Sequence, residues 1–354
     1  MNKLNYNCPI NQTGYGLASL NILKELDKLC DITLFPIGNC SMDTEEDHNL
    51  VKKLVSVNKS FTGNSPCLKL WHQFDLASRI GNGKYFTYSF FELDTLSEMD
   101  KMHLNCSDEI FVPCKWAKEI LENNNVNKKI HIASPGVNRT IFDDTLYAKQ
   151  QNDKYVFQTI GKWEVRKSHD ILLSIFQKAF PTETDVELVI LAAEHTSSYT
   201  GQEELEKWKS MYSQDMRVKI IPGVALHSDI AKIMALSDCG IYVSRAEGWD
   251  LELLETMSMN KPVIASNYSA HTEFCTDKNS YLVDIEETEP AYDGKAFNRQ
   301  GNWAKISNKE IDQIVDYMRD CYKNRRSTNP EGVKTAKKYS WENTAKIISR
   351  CIFN

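Results

Sequence analysis

The chain has 354 residues, 42% hydrophobic and 25% charged, with a formal net charge of -6; this is an ordinary soluble composition, long enough for two domains. The acidic balance gives no global attraction to nucleic acid or to anionic membranes, and no apolar run reaches transmembrane length, although peripheral membrane contact stays open. The ten cysteines form no C-x-x-C pair and no secretory h-region opens the chain, so they read as reduced core thiols of a cytoplasmic protein.

Short apolar runs alternate with helical periods along nearly the whole length, which predicts α/β architecture with parallel sheets. In the first half the expected strands are Lys3–Cys8, Asp31–Pro36, Cys67–His72, Tyr85–Phe91, Glu109–Pro113 and Ile130–Ser134, with helices at Leu17–Leu29, Leu96–Leu104 and Lys115–Asn123. A polar stretch, Asp143 to Lys154, has the composition of a hinge. A second series follows, with strands at Tyr155–Ile160, Val186–Ala192, Val218–Pro222, Gly240–Ser244, Pro262–Ser266 and Tyr281–Asp284. Its helices are His169–Ala179, Glu203–Tyr212, Ser228–Ala235 and Leu251–Met259, and the end is helical over Lys309–Tyr322, Pro330–Lys338 and Trp341–Ile352. The segment Glu286–Asn302 lacks periodicity and reads as an irregular excursion. The basic run Lys323, Arg325, Arg326, Lys334, Lys337 and Lys338 reads as a solvated helix face.

The densest signal is SRAEGWDLELLETMSMNKPVIASNYSAHTE, Ser244 to Glu273. It is a strand–loop–helix–strand unit with Glu247 on the loop and Glu255 about two turns into the helix. Ligands of parallel sheets collect at the carboxyl ends of the strands, where backbone N–H groups attract phosphate and carboxylates accept hydrogen bonds from sugar hydroxyls. A second signal is IGKWEVRKSHD at 160–170, a strand, a loop and a helix start, with Lys162, Arg166 and Lys167 crowded on the loop. Such a cluster suits a diphosphate, or is a solvated basic turn. A third is NQTGYGLASLNILKEL at 11–26, where Gly14 and Gly16 sit in the first strand-to-helix loop and would let backbone approach a ligand. Ser19 holds the third position of G-x-G-x-x-G, so this is no dinucleotide fingerprint. There is no D-x-D, no metal-ligand spacing, no nucleophile elbow and no P-loop.

EGWDLELLE followed by NKPVIAS resembles the motif of the retaining glycosyltransferases of family 4, whose two glutamates are separated by seven residues. The resemblance implies the GT-B fold, an α/β architecture of two doubly wound Rossmann-like domains facing across a cleft. The expected division is 1–145 for the N-terminal acceptor side and 146–338 for the nucleotide-sugar side, with 339–354 a C-terminal helix returning to the first domain. By the same resemblance Glu247 meets the donor sugar and Glu255 the ribose, while Gly248, Trp249, Asp250 and Leu251 face the β-phosphate or the sugar. The basic loop is similar to the family's G-R-L-x-x-x-K-G, with Lys162 at the arginine and Lys167 at the lysine, both on the donor phosphates together with Arg166. Lysine at 162 keeps the charge without the bidentate fork. Gly14 and Gly16 correspond to the family's first loop, which lies across the cleft from the donor phosphates, and are expected to contact the donor. SFFELDTLSEMDK at 89–101 resembles a family segment in which a glutamate, here Glu92, ends a strand; Glu92 and Asp94 fall on the acceptor side, with His72 either substituting for the family's histidine or a satisfied side chain at a strand end. SPGVNRTIF at 134–142 matches a further family motif, with Asn138 at its aspartate.

Asp250 departs from the family's glycine. Its carboxylate either sits near the donor phosphates or points to solvent as an N-terminal helix charge. The implied reaction moves a sugar with retention from a nucleotide-diphosphate sugar, UDP- or GDP-linked, to a hydroxyl acceptor, without metal or cofactor. The acceptor is expected to be a glycan. Two alternatives are glycosylation of a hydroxylated DNA base, which the acidic balance disfavours, and a non-catalytic protein that binds sugar nucleotides. Oligomeric state is left open.

Overall fold

The computed structural model describes residues 2–59, 61–148, 153–193, 202–223 and 226–354. It divides into two compact units, Met1–Asn138 with Tyr339–Asn354, and Arg139–Lys338. The division falls ahead of the expected 145, because Phe142 and Asp144 bond to Ser258 and Asn260 of the second unit. Of the expected hinge, residues 149–152 lie outside the described residues.

In the first unit the strands are β1 (Lys3–Cys8), β2 (Asp31–Pro36), β3 (Cys67–Leu70), β4 (Tyr85–Tyr88), β5 (Glu109–Val112) and β6 (Lys129–Ile132). They form one parallel sheet in the order β2-β1-β3-β4-β5-β6. Its helices are α1 (Gly14–Leu26), α2 (Glu45–Leu54), α3 (Glu98–Asn105) and α4 (Lys115–Asn123), and α11 (Trp341–Phe353) packs on α1. Helix α2 escaped the apolar pattern because only Asp47, Val51 and Leu54 are buried. Its signal is polar instead: Thr44 caps it, three acids fill the first turn, and Lys52 and Lys53 close the last. Strands β3 and β4 stop at Leu70 and Tyr88, so His72 and Glu92 lie in loops rather than at strand ends; Ser97 and Asp100 then start α3 with a capping box.

The second unit has β7 (Tyr155–Lys162), β8 (Val186–Ala193), β9 (Val218–Pro222), β10 (Cys239–Tyr242), β11 (Val263–Ser266) and β12 (Tyr281–Val283). All pair in parallel, in the order β12-β11-β10-β7-β8-β9. Helices α5 (His169–Ala179), α6 (Gln202–Tyr212), α7 (His227–Leu236), α8 (Leu251–Ser258), α9 (Asn308–Lys323) and α10 (Pro330–Lys338) complete it. Phe157, Ile175, Phe176, Leu188, Ile190, Ile241 and Ile314 form its buried core.

The expected irregular excursion is a hairpin, β13 (Thr288–Tyr292) with β14 (Asn298–Ala304). Few residues reveal it, since only Ala291, Gly301, Trp303 and Ala304 are buried. Its turn is set by Asp293, whose carboxylate accepts from Lys295 and Phe297 N–H. All ten cysteines are free, seven of them buried. Among the described residues no helix is long and apolar enough to cross a membrane.

Candidate active site

In the second sheet the strand order reverses between β7 and β10. Chains leaving these neighbours run to opposite faces, and the crevice so opened is where doubly wound sheets bind ligands. The loop after β7 and the loop after β10 meet there. Ser168, in the left-handed region at φ 60, donates from its hydroxyl to Val243 O at 2.7 Å. Arg245 N–H donates to Arg166 O, and the Arg245 guanidinium grips Asp170 at 2.8 and 2.9 Å and also bonds to Val165 O. The β13–β14 hairpin is moored to the same loop, through Ala304 N–H to Arg245 O and Trp303 under the Arg245 guanidinium.

These ties bring the basic loop onto the acidic one. Lys167 Nζ lies 2.9 Å from Glu247 Oε1 and 4.0 Å from Asp250 Oδ1. Arg166 Nη1 lies 2.7 Å from Glu247 Oε2 and also donates to Ala246 O, while its Nε and Nη2 hold Glu164. Burial alone would raise the Glu247 carboxyl; the Arg166 and Lys167 cations overturn this and hold it well below the usual carboxylate range. Burial likewise opposes the Lys167 charge, and Asp250 and Glu247 push that ammonium above an ordinary lysine. Glu164 is also held low against its burial, by Arg166, Lys162 and Lys167. Lys162 itself ends β7 and is partly exposed.

Gly161 makes this arrangement possible. A Cβ there would meet Lys167 Cδ at 2.5 Å, and its φ is +153. The lysine stem lies where any other residue would put its side chain.

Asp250 does not point to solvent. Its side chain is fully buried, at φ 79, where L-residues other than Asn and Asp rarely sit. The left-handed turn explains why glycine suits the position. Here the cost is offset because Oδ1 caps α8 by accepting from Leu253 N–H, and Oδ2 lies 3.0 Å from His271 Nε2. The His271 ring is fixed from its other side by Ser266 O, 3.1 Å from Nδ1. The carboxylate thus occupies the N-terminus of α8, and Leu251 is the first residue behind it. Gly248 is buried, and Trp249 is buried against Phe274, so its indole is a wall of the core rather than an exposed surface. The backbone of Glu247 is held in turn by Ser269, whose Oγ accepts its N–H at 2.8 Å.

Glu255 is buried one turn along α8. Burial, then Glu252 and Asp250, push its carboxyl well above the ordinary range. Glu252, partly exposed, is raised by burial and by Asp250 to about 7. Its proton is bound more tightly in the folded chain than in the unfolded one, so this group's contribution to stability declines as pH rises from the ordinary carboxylate range through 7. Glu252→Gln is therefore expected to raise stability at about pH 8 by about 1 kcal/mol, discounted for partial exposure, and to do little at about pH 5. Melting temperatures at the two pH values check this; equal shifts at both would sink the assignment.

Gly14, Gly16, His72, Glu92 and Asp94 belong to the first unit. Gly16 makes room for its own loop, since a Cβ there would strike Asn11 O at 2.3 Å, while Gly14 has open space around it. Thr13 caps α1 by accepting from Gly16 N–H. His72 is part of an aromatic group with Tyr15, Trp71 and Phe74. Asp94 accepts from the Thr95 hydroxyl and, through its carbonyl, from Asn124. Among the described residues no group of three or more His, Cys, Asp or Glu is arranged to hold a metal ion.

The residue pattern missed Gly161, Ser168, Arg245, Ser269 and His271. Each lies inside or beside a motif already singled out, but its role depends on a positive φ or on a partner across the sheet, which spacing does not show.

Residues 154–293 match the family model described as Glycosyl transferases group 1. No curated protein matches the chain significantly. Sucrose-phosphate synthase from Thermosynechococcus elongatus is similar with a TM-score of 0.73 and 11% identity, over 99% of this chain and 98% of that one. A glycosyltransferase from Rickettsia africae gives 0.71 and 14%, over 100% and 99%. Anabaena HepE in complex with UDP and glucose gives 0.70 and 14%, over 99% of both chains. At these identities the solved structures establish the fold, which is GT-B; joined to the group 1 match over the second unit, they support a GT-B glycosyltransferase.

Proposed function

We propose that the chain is a retaining, metal-independent glycosyltransferase similar to family 4, moving a sugar from a UDP- or GDP-sugar to a hydroxyl of a glycan. The observation that carries this reading is the Arg166–Glu247–Lys167 network at the strand-order reversal of the second sheet. Lys167 and Lys162 supply positive charge where a departing diphosphate gathers negative charge. Glu255, buried and with its carboxyl pushed well above the ordinary range, offers oxygens that accept from a ribose diol. Glu247 accepts from the transferred sugar's hydroxyls.

Glu247 is ill suited to be a nucleophile. Both of its oxygens are engaged by cations, and a carboxylate held so far below its ordinary range attacks weakly. This supports front-face attack. The acceptor oxygen bonds to the anomeric carbon as the bond to the phosphate oxygen breaks, and the departing phosphate takes the acceptor's proton. Anabaena HepE was seen with UDP and glucose, which supports trying UDP-glucose first as donor.

A second reading is favoured by one observation. The Asp250 carboxylate fills the α8 N-terminus, 4.0 Å from Lys167, and competes there with a diphosphate. On this reading the chain binds a nucleotide sugar without transferring it. Purified protein with a panel of nucleotide sugars separates the two. A thermal shift with slow release of nucleotide diphosphate supports transfer; a shift with no release supports binding alone; no shift with any donor overturns both. Within the transferase reading, Glu255→Ala is expected to weaken UDP binding about ten-fold with little change in kcat. Calorimetric titration checks it, and unaltered affinity would remove Glu255 from the donor site.

A further inference from the structure

Strand β6 is an edge of the first sheet, and it takes part in a chain of polar groups outside the second unit's site. Strands β5 and β6 pair with Glu109 opposite Lys129 and Phe111 opposite His131. Side chains two apart on a strand leave the same face, so the pleat gathers Glu109, Lys129 and His131 on one side of this edge. Helix α11 brings Cys351, in its last turn, onto that side.

The bonding order fixes where the protons lie. Glu109 accepts from Lys84 and His131 and lies 3.5 Å from Lys129 Nζ. Burial would raise its carboxyl; these partners overturn that and hold it at about 2. It is an ionised acceptor, so the His131 Nε2 that faces it carries a proton. In a neutral imidazole the other nitrogen is then a lone-pair acceptor. That nitrogen is Nδ1, and Cys351 Sγ lies 3.3 Å from it. The ring rests against buried Phe111, 5.2 Å away between centroids. Thiol, imidazole and carboxylate thus stand in the order of a nucleophile, its base and the group that orients the base.

Burial pushes the Cys351 thiol up; Lys129 pulls it back in part, Glu109 adds to the rise and Arg350 opposes it. At rest the proton stays on sulfur, and reaction waits on a base to remove it. Cys106 is more exposed, but its Sγ donates to Met102 O, a carbonyl that cannot take the proton away.

We propose that Cys351 is a thiol–disulfide exchange site for low-molecular-weight disulfides, with His131 as its base and Glu109 as the residue that orients His131. As Sγ attacks one sulfur of the disulfide, its proton passes to His131 Nδ1. The disulfide's S–S bond breaks, and the departing thiolate takes that proton from the imidazolium. The products are a mixed disulfide on Cys351 and one small thiol. Exchange asks for one proton removed and one returned, and a single imidazole does both.

The test incubates the reduced full chain with glutathione disulfide near neutral pH and follows each thiol by peptide mass spectrometry. Cys351 is expected to take up glutathione before Cys40 and Cys106, although both are more exposed. A free thiol is only a few per cent ionised at that pH, so losing the base should slow Cys351 about ten-fold. His131→Asn is expected to do so with Cys40 and Cys106 unchanged. Glu109→Gln, which leaves the ring but no longer fixes its tautomer, is expected to slow Cys351 as well. Removing the ring opens space beside the thiol, so a merely steric role predicts faster reaction and loss of a base predicts slower. Cys8 and Cys67 are fully buried, and their staying unmodified shows that each variant is folded. Slower reaction at Cys351 than at Cys40 and Cys106 in the wild type, or an unchanged or higher Cys351 rate in the folded variants, would overturn the site.

Discussion

Replacing Lys167 with Ala is expected to lower turnover by about 10²- to 10³-fold, the usual loss when one preorganised charge facing a developing anion is removed. The lysine side chain is only 10% exposed, its stem fills the space left by Gly161, and its ammonium is fixed by Glu247 at 2.9 Å. On the transferase reading it therefore needs no reorganisation as a diphosphate departs. The same substitution removes one of two cations from Glu247 and the charge nearest Asp250 Oδ1. A fall in stability of about 3 kcal/mol should accompany the kinetic loss, because a buried carboxylate is left under-compensated. Single-turnover release of nucleotide diphosphate measures the first and denaturant unfolding the second. Turnover at the wild-type rate would remove Lys167 from the chemistry.

Asp250→Ala should destabilise the fold by about 2–4 kcal/mol. The helix cap contributes about 1 kcal/mol. Forcing Ala into the left-handed region costs a further 1 kcal/mol or so. The remainder comes from His271, which loses its bond to a buried carboxylate. Asp250→Gly loses the cap and the His271 bond but escapes the backbone cost, so it should be more stable than the alanine variant by about 1 kcal/mol. The ordering is the diagnostic result. If alanine and glycine variants unfold at the same denaturant concentration, the positive φ is not what distinguishes this position.

Much of the fold was legible because its strands are buried on both faces and its helices carry periodic apolar stripes. Lys3–Cys8, Asp31–Pro36, Val218–Pro222, Lys115–Asn123, His169–Ala179 and Pro330–Lys338 are found with the bounds the pattern predicts. Helix α2 and the β13–β14 hairpin were not legible, since their order comes from caps and turn chemistry with few buried side chains. At the site, the family resemblance pointed to Glu247, Glu255 and Lys167 as a group, and the fold places Lys167 against Glu247. It could not show that Arg166 is wholly engaged by Glu164, Glu247 and Ala246, or that Asp250 faces inward. Those facts depend on which side of a loop a side chain leaves, and that is decided by backbone angles such as Gly161 and Ser168 adopt.

Helix α11 carries a consequence for how the chain is made. Ala345, Ile348 and Ile352 are buried in the first unit, Thr344 Oγ1 donates to Ser134 O, and Gly136 approaches the Trp341 backbone so closely that a Cβ would not fit. On the ribosome the first sheet emerges early, yet the surface that α11 covers stays bare until the whole second unit has been synthesised. Domains generally fold as they emerge, N-terminal first, and transiently exposed apolar surface invites aggregation. Here the unit begun first is the one completed last, so during translation it depends on a chaperone, or on the solubility of its own half-finished surface, for as long as the second unit takes to appear.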